Sequence, residues 1–555
     1  MRHVVSAGEG HGGDATASSD PWRGVALGLT VLVVFSLAVL PVALALSRPA
    51  GLYGVTQYDD GVYFAASLRL VSGVLPYRDF VLVQPPGITV MLAPFALLSH
   101  VLGARHALGL ARIATAGVVG VSAALVSVAL RHRGLFAAGL GGLALALYPT
   151  GYAADHTFLL EPFLVFFSMV GMVLTFSRGE VASPRRVLLG GVAFGVAGSV
   201  KSFAVVPLVL VAIVVATRNR RDAVRFALGA AVALAILVGP FLLAAPHAFW
   251  HEVVSSQLAR NTVRPTPFDN RVFAITGLAY ANASLAVGGT ATLAAGAALA
   301  AVIVAGFVVA LTRPASAFEW SALLCAVGVT AIMFVPEQYF DHYALFSAAF
   351  LALAVGGVGG HVHDAARALL SRLPEASRSR SLAFASAFLV VVGALASVLV
   401  LRSDTSYQKV IVDRFGDPGP AIAATVPAGS CVLSDAETVL VSAGRAGTGP
   451  TGCPAILDAT GTWLTYDPAH PPGRTGSGPR DPALVELWRS AFSRADYVVL
   501  SGICAFRIPW TPSLYQYFDT HYHHVAGPYG LAFERGAPQS PTEDPDLERR
   551  CAATR

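Results

Sequence analysis

The sequence predicts a polytopic α-helical membrane protein of about eleven spans, with a C-terminal α/β domain outside the membrane. Three observations predict it. Of the 555 residues, 55% are hydrophobic and only 13% charged, against roughly 25% charged in soluble domains. Apolar runs of about 20 residues recur from Val25 onward, separated by short arginine-rich loops of the kind that stay cytoplasmic. Beyond residue 402 the composition changes: Pro, Gly and Asp become frequent, and four of the five cysteines gather there.

Taken in order, residues 1–24 are polar and are followed by a run too long for a signal-peptide core. They read as a cytoplasmic tail, and Val25 to Ser47 as an uncleaved first span with Arg23 on the cytoplasmic side. An external stretch, 48–104, contains a polar island from Gln57 to Gly87. Within it lie the acidic pair Asp59-Asp60, an amphipathic helix from Val62 to Val71, a turn at Leu75-Pro76-Tyr77-Arg78-Asp79, and Gln84-Pro85-Pro86-Gly87. Ile88 to Leu102 is apolar but short, and reads as an interfacial helix. Span two, 105–130, ends at the basic cluster Arg131, His132 and Arg133. Span three, 134–153, delivers Asp155, His156 and Glu161 to a short external loop, and span four returns to Arg178, Arg185 and Arg186.

The interval 187–217 is basic at both flanks. Its 31 residues would reach about 46 Å as one helix, too long for a core of about 30 Å. Two short half-spans meeting near Gly198 to Ser202 satisfy the charge rule, and put Lys201 at the outer end of a hairpin. Span seven covers 224–246, and an external loop, 247–283, carries Arg260 and Arg264. Spans eight to ten cover 284–311, 318–335 and 343–360, with Tyr339, His342 and Tyr343 in the last external loop. Span eleven, 381–401, closes the transmembrane domain 25–402 and leaves 403–555 outside. In that tail, Cys431-Val432-Leu433 and Tyr497 to Leu500 read as buried strands, and Pro482 to Phe492 as a helix.

Charge and cysteines narrow the function. A net charge of +5 spread over short loops argues against nucleic-acid binding. Cys325 lies in an apolar run, as a small buried hydrophobe does. Cys431, Cys453, Cys504 and Cys551 form an even set in one polar segment, which points to disulfides and an oxidising compartment. Cys431 with Cys453 and Cys504 with Cys551 is the un-nested pairing, one of three connectivities that four cysteines allow. Lys201 and Lys409 are the only lysines among 38 basic residues.

The acidic pair, Tyr63, the Tyr-Arg-Asp turn and the Pro-Pro step together resemble the first extracytoplasmic loop of the GT-C glycosyltransferases. The resemblance is strongest to protein O-mannosyltransferases and aminoarabinose lipid A transferases, and covers roughly the first 350 residues. It implies a bacterial plasma-membrane enzyme that moves a sugar, with inversion, from a polyprenyl phosphate to an envelope glycan, lipid or protein. Such a transfer needs a base for the acceptor proton, cations for the departing phosphate and a partly dry pocket. The resemblance makes Asp59 the base and Glu161 the second acid; Asp60 stands where the family usually has Glu.

Lys201, an ammonium inside an apolar stretch, is the candidate phosphate ligand, joined by Arg78, Arg260 and Arg264. Gln84 occupies a place where some relatives carry Lys, so one expected cation is missing. Tyr63, Tyr77, Asp79, Gln84, Asp155, His156, Tyr339, His342 and Tyr343 complete the expected substrate contacts. No cofactor is implied. Paired acids with His could hold a divalent cation, although no ligand spacing argues for one. Two other classes fit the composition: a transporter or flippase of a lipid-linked precursor, which should show paired interrupted helices, and an envelope-assembly scaffold, which should tolerate loss of Asp59.

Overall fold

The computed structural model describes residues 21–260, 265–277, 289–371, 398, 416–447, 449–450, 452–470, 472, 481–501, 505–526 and 531–536. Among these, four helices are long and apolar enough to cross a membrane: Gly24–Leu46, Ala104–Arg133, Thr292–Thr312 and Asp341–Leu370. Shorter apolar helices, such as Leu160–Thr175 and Ala317–Ile332, pack among them, and the chain is a multi-pass membrane protein. Apart from residue 398, the expected span eleven lies outside the described residues, as do Arg264, Cys504 and Cys551.

Two expected spans are shorter than the sequence suggests. Span three is helical only from Leu135 to Ala146; a turn through Pro149 and the four-residue helix Tyr152–Asp155 follow. Span seven runs from Arg220 to Leu237 and restarts at Gly239, because Pro240 cannot donate a helical hydrogen bond. The helix expected from Val62 begins earlier, at Asp59, with both carboxylates in its first turn, where they complement the helix dipole. It is not amphipathic toward water: every residue from Asp60 to Leu68 is buried.

The hairpin at Lys201 is present. Pro184–Val200 ends at Lys201, which is extended (φ −152°, ψ 134°), and Val205–Arg218 follows a single 3-10 turn. Contacts between the first arm and Arg220–Leu237 show the directions. Gly191 abuts Phe226, Gly195 abuts Ala230, and Gly198 lies nearest Leu234, so these two helices run parallel. The arm between them must therefore double back. A Cβ on Gly191 would meet the Phe226 carbonyl at 1.9 Å; glycine permits the backbone approach that membrane helices use in place of a hydrophobic drive. Lys201 thus sits at one end of the bundle, the end that carries Asp59 and Glu161.

Arginines mark the other end. Arg133 pairs with Glu319, which also accepts from Ser316 and contacts His361 at 2.8 Å. This network ties the ends of Ala104–Leu130, Ala317–Ile332 and Ala344–Leu370 together. A two-stranded ribbon, β1 (Phe176–Ser177) with β2 (Glu180–Val181), turns the chain there.

The tail forms a four-stranded mixed sheet of β3 (Val432–Ser434), β4 (Tyr497–Leu500), β5 (Tyr522–Ala526) and β6 (Leu531–Arg535), in the order β3-β4-β6-β5. β3 and β4 are parallel and the other pairs antiparallel. The expected helix is found as Pro482–Arg494, capped by Asp481. Trp488 and Phe492 from that helix anchor a separate core with Phe518 and Tyr522. Cys431 and Cys453 form a disulfide, and Cys325 is buried and free.

The sheet unit is not tethered loosely. Its short helix Glu437–Ser442 lies against Asp59–Val71 so closely that a Cβ on Gly61 would reach the Thr438 nitrogen at 2.1 Å. Arg105 of the bundle pairs with Asp417 and donates to the Ser442 carbonyl at 3.0 Å. The bundle end and the sheet unit enclose one cavity between them.

Candidate active site

The cavity holds about 300 Å³. From the bundle side it is lined by Asp59, Tyr63, Gln84, Arg260 and His342, all of which the sequence singles out. From the tail it is lined by Asp458, Thr460, Leu464, Phe506 and Arg507, none of which the sequence singles out.

Asp59 is set by its neighbours in the chain. Asp60 turns away from the cavity into a fully buried ion pair with Arg112 at 2.6 Å. Its carboxylate also accepts from Thr157 at 2.7 Å and Thr438 at 3.2 Å. Arg112 in turn donates to the carbonyls of Gly51, Leu52 and Gly54 at 3.0–3.1 Å. Every strong site on this pair is filled, so Asp60 acts as a clamp between the polar island and the bundle.

On the other side of Asp59, the Tyr58 hydroxyl donates to Asp458 at 3.0 Å and accepts from the Thr460 N–H at 3.0 Å. Asp458 caps the helix Ala459–Tyr466 by accepting from the Gly461 N–H at 2.7 Å.

Electrostatics distinguish Asp59. Burial pushes its carboxyl up to about 7, the Asp458 and Glu161 carboxylates push the same way, and Arg260 and Lys201 oppose them. Burial also raises Asp458, against the Gly461 N–H, Tyr58, Arg260 and Arg507. A carboxylate titrating near neutrality can take a proton and hold it. Arg260 lies beside both acids, and among the described residues its buried Nε has no hydrogen-bond partner.

The remaining expected residues lie behind the wall or away from it. Lys201 does not line the cavity. Its ammonium pairs with Glu161 at 2.5 Å and lies 3.6 Å from the Tyr343 ring centroid, and both charged groups are buried. Tyr339 packs edge-on against Tyr343, with the Arg271 guanidinium 5.5 Å from its ring. Asp155 and His156 are buried near the start of the Glu161 helix. Arg78 is exposed and pairs with its neighbour Asp79 at 2.8 Å. Tyr77 is a buried hinge, in a left-handed conformation (φ 67°), that donates to the Gln84 carbonyl at 2.6 Å. Among the described residues no group of three or more His, Cys, Asp or Glu side chains is arranged to hold a metal ion. Asp59 and Asp458 facing Arg260 make a poor cation donor set.

One unexpected support lies in the loop after span seven. Glu252, within a π-helical turn from His251 to Ser255, accepts from the Leu82 N–H at 2.8 Å, and Gln257 donates to the Val83 carbonyl at 3.2 Å. These two residues hold the strand-like segment that leads into Gln84.

In sequence, no family model and no curated protein matches the chain. In structure it is similar to ArnT from Cupriavidus metallidurans bound to undecaprenyl phosphate, at a TM-score of 0.52 and 15% identity, covering 93% of this chain and 98% of that one. It is also similar to the Archaeoglobus fulgidus oligosaccharyltransferase tethered with an acceptor peptide, at 0.53 and 12%, covering 93% and 74%. The oligosaccharyltransferase AglB of the same organism, in complex with an inhibitory peptide and a dolichol-phosphate, gives 0.51 and 13%, covering 94% and 75%. The chain has the fold of the GT-C glycosyltransferases.

Proposed function

We propose that this protein is an inverting glycosyltransferase that takes its sugar from a polyprenyl phosphate and delivers it to an envelope acceptor on the outer face of a bacterial plasma membrane. The observation that carries the reading is Asp59, a half-buried carboxylate on the wall of a cavity at the end of a bundle with the GT-C fold, raised to about 7 by desolvation, with Arg260 beside it. The similarity to a structure bound to undecaprenyl phosphate supports the donor class.

In the reaction, an acceptor hydroxyl attacks the anomeric carbon from the face opposite the phosphate. The new C–O bond forms as the bond to phosphate breaks, the acceptor proton passes to Asp59, and the polyprenyl phosphate leaves with the bonding pair. Arg260 stabilises the charge gathering on that phosphate, in a site where burial strengthens the interaction. Lys201, neutralised by Glu161, holds that carboxylate and the Tyr343 ring in place behind the cavity. In this reading the arginine-rich end of the bundle faces the cytoplasm, as the charge rule favours, and the cavity, the sheet unit and its disulfide lie outside.

The test is sugar transfer in detergent from undecaprenyl phosphate carrying radiolabelled arabinose or mannose. Asp59→Asn keeps the size of the side chain and removes the base, so turnover should fall by about 10²–10⁴-fold with undecaprenyl phosphate binding retained. Wild-type transfer by that variant would overturn the assignment of the base. A flippase or a scaffold would show no transfer with any donor.

A further inference from the structure

The tail side of the cavity has a composition of its own. The Arg507 guanidinium carbon lies 4.1 Å from the Tyr58 ring centroid and 4.5 Å from that of Phe506. Arg507 is anchored from behind by Asp435 at 3.5 Å. Asp435 follows β3, and Ser501, which donates to it from N–H at 2.7 Å and from Oγ at 2.6 Å, follows the parallel β4. The carboxyl ends of the parallel pair therefore open toward the cavity, the usual place for a ligand in such sheets. Phe506 is 49% exposed, although it lines the cavity. Beside it, Asp458 uses Oδ1 for Tyr58 and Gly461, and among the described residues Oδ2 is left for a ligand.

We infer that this tail wall, centred on Phe506, Arg507 and Asp458, is the acceptor subsite and that it takes a glycan. The inference rests on the glycosyltransferase reading above. A polyprenyl chain must stay with the apolar helices, so the donor enters on the side of Tyr63, Gln84 and Arg260. The wall opposite belongs to a folded sheet unit and is open to the acceptor. Phe506, held against the Arg507 guanidinium and half exposed, presents an aromatic face suited to the C–H face of a sugar ring. The Arg507 N–H groups and the Asp458 carboxylate supply donors and an acceptor side by side, as vicinal hydroxyls require. The Arg507 charge is already balanced by Asp435, which suits a neutral polyol better than a second phosphate.

The experiment is saturation-transfer NMR on the full chain in lipid nanodiscs, which avoids detergents with sugar head groups. The probes are trisaccharides of mannose and of arabinose, with a threonine-containing peptide as the other acceptor class. Undecaprenyl phosphate binding is measured in parallel by native mass spectrometry. The expected result is saturation of the ring protons of at least one trisaccharide, weakened by about tenfold in Phe506→Ala and in Arg507→Met, with undecaprenyl phosphate binding unchanged. Phe506 is half exposed, so its truncation tests the wall even if Arg507→Met fails to fold. Absence of trisaccharide binding, binding indifferent to Phe506→Ala, or peptide binding in its place would overturn the subsite. Loss of undecaprenyl phosphate in Arg507→Met would make Arg507 a donor ligand and also overturn it. Wild-type protein that binds trisaccharide through Phe506 but binds no undecaprenyl phosphate would sink the donor assignment and leave the glycan subsite standing.

Discussion

The Asp60–Arg112 pair gives the sharpest separation of structural from chemical roles. Both side chains are fully buried, 2.6 Å apart, and the guanidinium also holds three carbonyls of the segment before Asp59. Asp60→Asn leaves Arg112 charged and buried without its counter-ion, and Arg112→Met leaves the carboxylate with only Thr157 and Thr438. Each single change should cost about 3–5 kcal/mol, the usual penalty for breaking a buried pair from one side. That is a large part of a total stability of about 5–15 kcal/mol. The double variant removes both charges, so its cost should fall short of the sum by about 3 kcal/mol. The assay is denaturation in detergent followed by circular dichroism, for the two singles and the double, with transfer activity measured on the folded fraction. Strict additivity would refute the clamp. So would an Asp60→Asn protein as stable as wild type but unable to turn over, because Asp60 would then belong to the reaction.

Four further outcomes are expected. A base raised to about 7 must be deprotonated to act, so kcat/KM should fall about tenfold per pH unit below neutrality. Asp458→Asn removes a carboxylate that pushes Asp59 upward, and should move that limb to lower pH; an unmoved limb would show that the two acids are not coupled. Arg260→Ala should weaken undecaprenyl phosphate binding by roughly tenfold or more, and Lys201→Met by less, because Glu161 already neutralises Lys201; the reverse order would return the phosphate to Lys201. A reporter fused after Arg402 should be active only in the exported compartment, and one after Arg221 only in the cytoplasm; the opposite pattern would invert the charge-rule assignment.

The legible parts of the fold were those set by local rules. Arginine at both flanks of 187–217, with too many residues for one span, puts a break near Gly198 to Ser202, and the chain breaks at Lys201. The apolar runs around Val432 and Val498 read as strands and pair in parallel. Span three was misjudged because its apolar run continues past Ala146 into a turn at Pro149 that hydropathy does not register. The site was half legible. Asp59, Tyr63, Gln84, Arg260 and His342 sit in polar stretches between apolar runs, where their chemistry stands out. Asp458 and Arg507 sit in a polar tail where one more Asp or Arg carries no contrast, and nothing local says that they meet residues about 400 positions earlier. Asp435 alone left a trace, as a carboxylate directly after a buried strand. Arg78 shows the converse: it is conspicuous in the turn, yet its charge goes to the adjacent Asp79.

Three consecutive residues explain why the sheet unit has to be docked for the site to exist. Near the start of a helix, successive side chains leave the axis about 100° apart. Tyr58 goes to the tail, where its hydroxyl sits between Asp458 and Thr460. Asp60 goes to the bundle, into Arg112. The residue between them cannot follow either neighbour, and Asp59 takes the one remaining direction, into the cavity. Its orientation is therefore fixed by two anchors on separate units rather than by a partner of its own, as a base requires if its oxygens are to stay open to the acceptor proton. Thr438 couples the anchors, because its hydroxyl contacts the Gln57 and Tyr58 carbonyls and the Asp60 carboxylate at 2.7, 3.1 and 3.2 Å, and Gly61 lets that contact form. A side chain at Gly61 would push the tail off the helix start and free Asp59 to turn, so Gly61→Ala should depress turnover although position 61 touches no substrate.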